Sequence, residues 1–141
     1  MLSSALGETK RIDVKFLDIE GFIGRHAGTY DMHVQAALRV FTGVRFSGCF
    51  YLHEFVMEMD GACGTGFYLR AAETGKSKVY KNGRYEGLVS DDALSIAANL
   101  FVLRWLATLS KDNEDINPCL RRLTRFAKGH SEYKLIFRLV D

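Results

Sequence analysis

The run DDALSIAANLFVLRWLATL, residues 91–109, constrains this chain more than any other stretch. Ala93, Ile96, Ala97, Leu100, Phe101, Leu103 and Leu106 recur at helical spacing but cover more than one face. A helix built from them has no broad side to give to water, so it is expected at the centre of the molecule. The run opens with two aspartates and is interrupted by Ser95, Asn99 and Arg104, which leaves it short of the ~20 apolar residues that cross a bilayer. No membrane span is expected. Ser90 is a suitable N-cap, and Asp91 and Asp92 set negative charge against the positive end of the helix dipole.

Strands lead into this helix. Residues 76–81 and 85–89 are short strand-like runs joined by Asn82-Gly83, two residues that tolerate positive φ and so close a tight hairpin. Upstream, the aromatic and β-branched run over residues 46–59 predicts a strand bringing Phe50, Leu52 and Phe55 near one another. Gly61, Gly64 and Gly66 mark a turn, and GFYLRAA after them reads as the next strand. Ile12, Val14 and Phe16 alternate with charged neighbours as in a half-buried strand, behind a loose polar tail over residues 1–10.

Helical signals frame the sheet. Residues 21–28 read as a loop, and Thr29 is placed to cap a helix to Thr42 that carries Val34, Leu38 and Phe41, with Gly43 as its stop. Asn117-Pro118 opens a short helix ending at Gly129, with Leu120, Leu123 and Ala127 on its core stripe. A final helix is expected with Ser131 as cap and Tyr133, Ile136, Phe137 and Val140 buried. The sum is an α+β fold, a small antiparallel sheet packed against several helices. At 141 residues, with no repeat or low-complexity segment, residues 1–141 are expected to form a single domain.

Charge narrows the function. The chain carries 19 basic and 17 acidic residues, a net charge of +2, interleaved along most of its length. That is too little negative charge for a mimic of DNA phosphates and too small a basic surplus for a dedicated DNA-binding domain, so direct DNA binding is not expected. The exception is local: Arg121, Arg125 and Lys128 fall on one face of a helix. Such a face serves either as a solvated side opposite the core stripe or as an electrostatic contact surface for an acidic protein or for DNA. Cys49, Cys63 and Cys119 are odd in number and widely spaced, and the first residues contain no long apolar core, so reduced thiols in the cytoplasm are expected.

Catalytic signatures fail on inspection. Gly75-Lys76-Ser77 resembles the end of a phosphate-binding loop, but Arg70 stands where the motif requires glycine. His53-Glu54 begins like a zinc-protease helix, but Met57 stands where the second histidine belongs. Pro118-Cys119 is followed by Arg122 where a zinc deaminase needs cysteine. Cys63, in a glycine-rich turn, is a conceivable nucleophile with His26, His33, His53 or His130 as its base, although a small residue beside the core is the plainer reading. Gly64-Thr65-Gly66 suits a tight turn more than a ligand loop. No enzyme, cofactor or metal site is expected.

Three blocks in the second half carry a resemblance. Gly66-Phe67-Tyr68, then Tyr85, Glu86, Gly87, Ser90, Asp92, Ala93 and Ile96, then His130, Glu132, Ile136, Phe137, Arg138 and Asp141 follow the order and spacing of the ArdB/KlcA antirestriction family. Residues 46–141 resemble that family, with Val89 where leucine is usual and Ser131 where proline is common. The resemblance implies a counter-defence protein of a mobile element or phage, cytoplasmic in its bacterial host. It implies protection of incoming DNA from type I restriction by binding, with cleavage impaired and methylation spared. The partner implied is a type I restriction enzyme, reached directly or through an intermediate; a CRISPR effector or another DNA-targeting nuclease remains an alternative. Partner contact is expected around Glu86 and the C-terminal helices, through Arg121, Arg125, Lys128, Arg138 and Asp141. For Asp141 the competing reading is a pair with Arg138.

Overall fold

The computed structural model describes residues 27–46, 49–59, 62–71, 75–109 and 116–141. The expected tail, the strand at Ile12–Phe16 and most of the loop over residues 21–28 lie outside these. The elements run α1 (Ala27–Thr42), β1 (Phe50–Met59), β2 (Ala62–Ala71), β3 (Lys76–Lys81), β4 (Arg84–Ser90), α2 (Asp91–Leu109), α3 (Ile116–Lys128) and α4 (Tyr133–Val140). This is the α+β fold expected, with one difference: among the described residues the strands form two antiparallel ribbons, β1-β2 and β3-β4, rather than one sheet.

Helix α2 is the centre. It is long and apolar enough to cross a membrane, so composition alone does not exclude a span as the sequence reading had it. Here it instead packs against α1, β2, α3 and α4 and buries Ala93, Ile96, Ala97, Leu100 and Leu103 completely or nearly so. Phe101, expected in the core, lies at the rim, 40% exposed and edge-on to Phe41 at 5.6 Å.

The two polar residues that interrupt α2 have a purpose. Ser95 and Asn99 are fully buried. They hydrogen-bond the edge of β2 that β1 leaves open. The Asn99 amide donates to the Leu69 carbonyl at 2.8 Å while its Oδ1 accepts from the Leu69 N–H at 3.1 Å, and Ser95 Oγ accepts from the Ala71 N–H at 2.9 Å. Tyr30 of α1 donates its hydroxyl to the same Asn99 oxygen at 2.7 Å. Burial holds the Tyr30 phenol well above its ordinary pKa, with nearby Cys119 adding to the effect. Buried backbone polar groups require partners, and here helix side chains supply what a third strand would.

The glycine cluster departs from expectation. Gly64 and Gly66 are strand residues of β2 rather than turn residues, and Gly61 lies outside the described residues. Gly66 faces Phe55 across the ribbon, and the Phe55 ring fills the space a side chain would take. That ring stacks on Phe126 of α3 at 4.1 Å between centroids. Alternation along β1 puts Phe55 on the face opposite Phe50 and Leu52, while Phe50 and Phe55 both belong to the core and Leu52 packs against it.

The hairpin is as read. Asn82 and Gly83 both have positive φ, 53° and 79°. A bulge follows, since Val79 pairs with Gly87 and Tyr80 with Tyr85, which leaves Glu86 as the extra residue. Helix boundaries differ at three points. Helix α1 begins at Ala27, so Thr29 lies inside it; α3 begins at Ile116, so Asn117 and Pro118 belong to its first turn. The N-cap of α4 is Glu132 rather than Ser131, and it makes no side-chain capping bond to its own helix. Helix α4 also buries Ile136 and Leu139, with Phe137 and Val140 only partly covered and Tyr133 exposed at 43%.

Candidate functional site

The three sequence blocks meet in one polar network at the start of α2. Ser90 caps α2, accepting the Ala93 N–H at 3.1 Å. The Glu132 carboxylate accepts the Ser90 N–H at 3.0 Å and the Ser90 hydroxyl at 2.5 Å. In a local capping box the carboxylate comes from the third helical residue. That position holds Ala93, and Glu132 fills the role from 42 residues away. This explains why α4 lacks a side-chain cap of its own.

Asp92 anchors the second half of the network. Its carboxylate accepts from the Tyr68 hydroxyl and from His130 Nε2, the latter at 2.9 Å, with Arg70 Nε 3.7 Å away. His130 Nδ1 accepts the Glu132 N–H at 3.0 Å, so Nε2 is the nitrogen that carries the proton toward Asp92. Burial acts to raise the Asp92 pKa, but the hydrogen bonds from Tyr68 and His130 and the charge of Arg70 outweigh it and hold the carboxyl below its usual range. Burial, reinforced by Asp92, pushes the Tyr68 phenol far above its ordinary value. His53 lies opposite Tyr68 in the ribbon with rings 4.9 Å apart; burial lowers its pKa, partly offset by Asp92.

This arrangement favours structure over proton chemistry. Both ring nitrogens of His130 are engaged and Tyr68 resists ionisation, so neither is poised as a base or nucleophile. The Cys63 side chain is outside the described set, and no group of three or more metal-ligating side chains forms among the described residues.

The residues expected to contact a partner fall in two places. Arg121, Arg125 and Lys128 share an exposed face of α3, opposite buried Leu123 and Ala127. Glu86, Arg138 and Asp141 gather at the corner of β4, α2 and α4. The bulge turns Glu86 to within 3.6 Å of Arg138, and this carboxylate is largely covered, its side chain 13% exposed. Lys81 Nζ donates to the Arg138 carbonyl at 2.8 Å. Asp141 pairs at 2.6 Å with Arg104 of α2, not with Arg138. The sequence reading could not foresee Arg104, which enters the corner from a helix otherwise devoted to the core.

A fold of two ribbons around a buried helix, pinned where three sequence blocks meet, defines a small α+β scaffold with surfaces to spare and no evident reaction centre among the described residues. No family model and no curated protein sequence matches the chain. Among solved structures, one described with the KlcA and ArdB proteins as having a novel fold and antirestriction activity against Type I DNA restriction systems in vivo but not in vitro matches at TM-score 0.66. The two share 25% sequence identity, and the match covers 100% of each chain. The chain is ArdB/KlcA-like, and the likeness extends beyond residues 46–141, where the sequence alone carried it.

Proposed function

We propose that this chain is an antirestriction protein that protects incoming DNA from type I restriction by binding a component of the host defence, without catalysis. The full-length likeness to the KlcA/ArdB structure is the observation that supports this reading. Two features agree with it. The near-neutral charge does not suit a phosphate mimic, and the Asp92 network is committed to holding α2, β2 and the α3–α4 turn together. Activity then resides in exposed side chains around this scaffold, in a bacterial cytoplasm where the restriction complex is met. The neighbour acts in vivo but not in vitro, so the test belongs in cells.

Unmodified phage plated on a type I restricting host should recover plating when this protein is expressed, with no change on a restriction-free host. Unchanged plating on the restricting host would refute the proposal. Recovery confined to a host with a CRISPR system would keep an inhibitor and move its target.

A further inference from the structure

The polar network at the start of α2 engages Asp92, His130 and Glu132. It leaves a different region unexplained, on the far side of α1. A cleft of about 510 Å³ opens between the end of α1, β3 and the first turns of α2. Apolar side chains form its walls, among them Leu38, Phe46 and Leu94, and Phe46 is held by Phe50 at 4.8 Å between ring centroids. A second cleft of about 570 Å³ runs on from it along α1, sharing Arg45 and Phe46 with the first. Volumes of this order suit a recognition site for an inserted side chain or short segment.

Its charge is one-sided. Arg39, Arg45 and Lys78 line the two clefts, and none pairs with a carboxylate among the described residues. The acidic residue in the lining, Asp91, is buried at 8% exposure and already engaged. Val40 on α1 and Val44 just past its end, which line the clefts, stand 65% and 67% exposed. Unpaired cations around an apolar floor complement a segment that brings carboxylates and a bulky apolar side chain together.

We propose that the groove around Arg45 and Phe46 is a docking site for an acidic segment of a partner protein, with an apolar side chain seated between Phe46 and Leu94 and carboxylates meeting Arg39, Arg45 and Lys78. In taking the partner to be a protein of the defence machinery this rests on the binding reading above. The groove itself does not depend on which machinery it is.

The test has two arms. A fluorescent synthetic peptide of alternating glutamate and leucine around one phenylalanine is titrated into the full-length protein, beside a control with lysine for glutamate. The acidic peptide should bind, more weakly as salt rises, and shift the amide resonances of Val44, Phe46 and Tyr80. An Arg45→Glu/Lys78→Glu double variant should bind it roughly tenfold more weakly or worse, by reversal of the local charge, with an unchanged melting temperature. Equal binding of both peptides, binding that ignores the double variant, or no binding overturns the site, as does a set of shifts that depends only on protein concentration and so reports a second copy. In the second arm the double variant is expressed in the restricting host. Loss of protection that the wild type gives supports the site; full protection by the variant overturns it and leaves the proposed function standing. If the wild type gives no protection while the acidic peptide binds through Arg45 and Lys78, the proposed function falls and the docking site stands.

Discussion

The two sides of α2 treat polar groups in opposite ways. Toward β2 and α4 each polar group of the network has a partner: Asn99 alone serves both backbone groups of Leu69 and the Ser95 carbonyl, and it also takes the Tyr30 hydroxyl from the middle of the core. Toward the end of α1 and β3, Arg39, Arg45 and Lys78 stand around an apolar cleft and pair with no carboxylate among the described residues. The first side shows what the fold requires, because an unsatisfied buried group costs stability directly. The second shows what the fold can do without, and such residues are where function is free to reside.

Substitutions should separate the two sides, the strongest first. Asn99→Leu leaves the Leu69 N–H and carbonyl without partners in the core and removes the Asn99 acceptor of the Tyr30 hydroxyl, and should lower stability by on the order of 3 kcal/mol or more, read by urea denaturation. Gly66→Ala drives a methyl group into the Phe55 ring, which Phe126 holds from the other side, and should cost about 2 kcal/mol in the same measurement. Asp92→Asn weakens charge-assisted bonds to Tyr68 and His130, a loss of about 1–2 kcal/mol at neutral pH.

Acid should act on the same side. The Asp92 carboxyl is lowered in the fold, so its contribution is present above the ordinary 3.8 and is lost as pH falls through the lowered value. His53 is lowered from 6.5, so the fold binds its proton less readily than the unfolded chain, and its contribution declines as pH falls below that ordinary value. Melting temperature against pH should therefore fall in two stages, with the upper stage absent in His53→Gln. A single fall confined below pH 4 would assign no part to His53.

The smallest effect is expected at the chain's last residue. Asp141→Ala removes an exposed pair with Arg104 and should change stability by less than about 1 kcal/mol. Plating on a restricting host then decides whether Asp141 does more than pair: lost protection at unchanged melting temperature would add it to the functional surface, and full protection would confine it to the corner.

What could be read from sequence follows the range of the interaction involved. Asn82-Gly83, the Ser90 cap and the Gly43 stop depend on neighbours in the chain, and each takes its expected place. Ser95 and Asn99 were legible only as interruptions, since their partners on β2 lie 24 and 30 residues away. Glu132 entered the sequence reading only as a matched position beside the expected Ser131 cap, whereas its carboxylate serves a helix earlier in the chain. Gly66 read as a turn residue because glycine signals turns more often than it signals a ring pressed against a strand. The basic face of α3 was visible from its spacing, and Arg104 and the groove around Arg45 were not. Neither has a periodicity, because each is assembled from elements that meet only in the fold.

The clasp of Ser95 and Asn99 on β2 has a bearing on how this protein behaves at high concentration. A two-stranded ribbon ordinarily offers a free edge on either flank, and such edges recruit other chains into extended sheets. Where α2 occupies that flank at Leu69 and Ala71, the backbone has nothing left to offer, and its amides should exchange with solvent only when the whole molecule unfolds. One pair of small polar side chains on a greasy helix thus closes this flank of the ribbon to strand addition at Leu69 and Ala71.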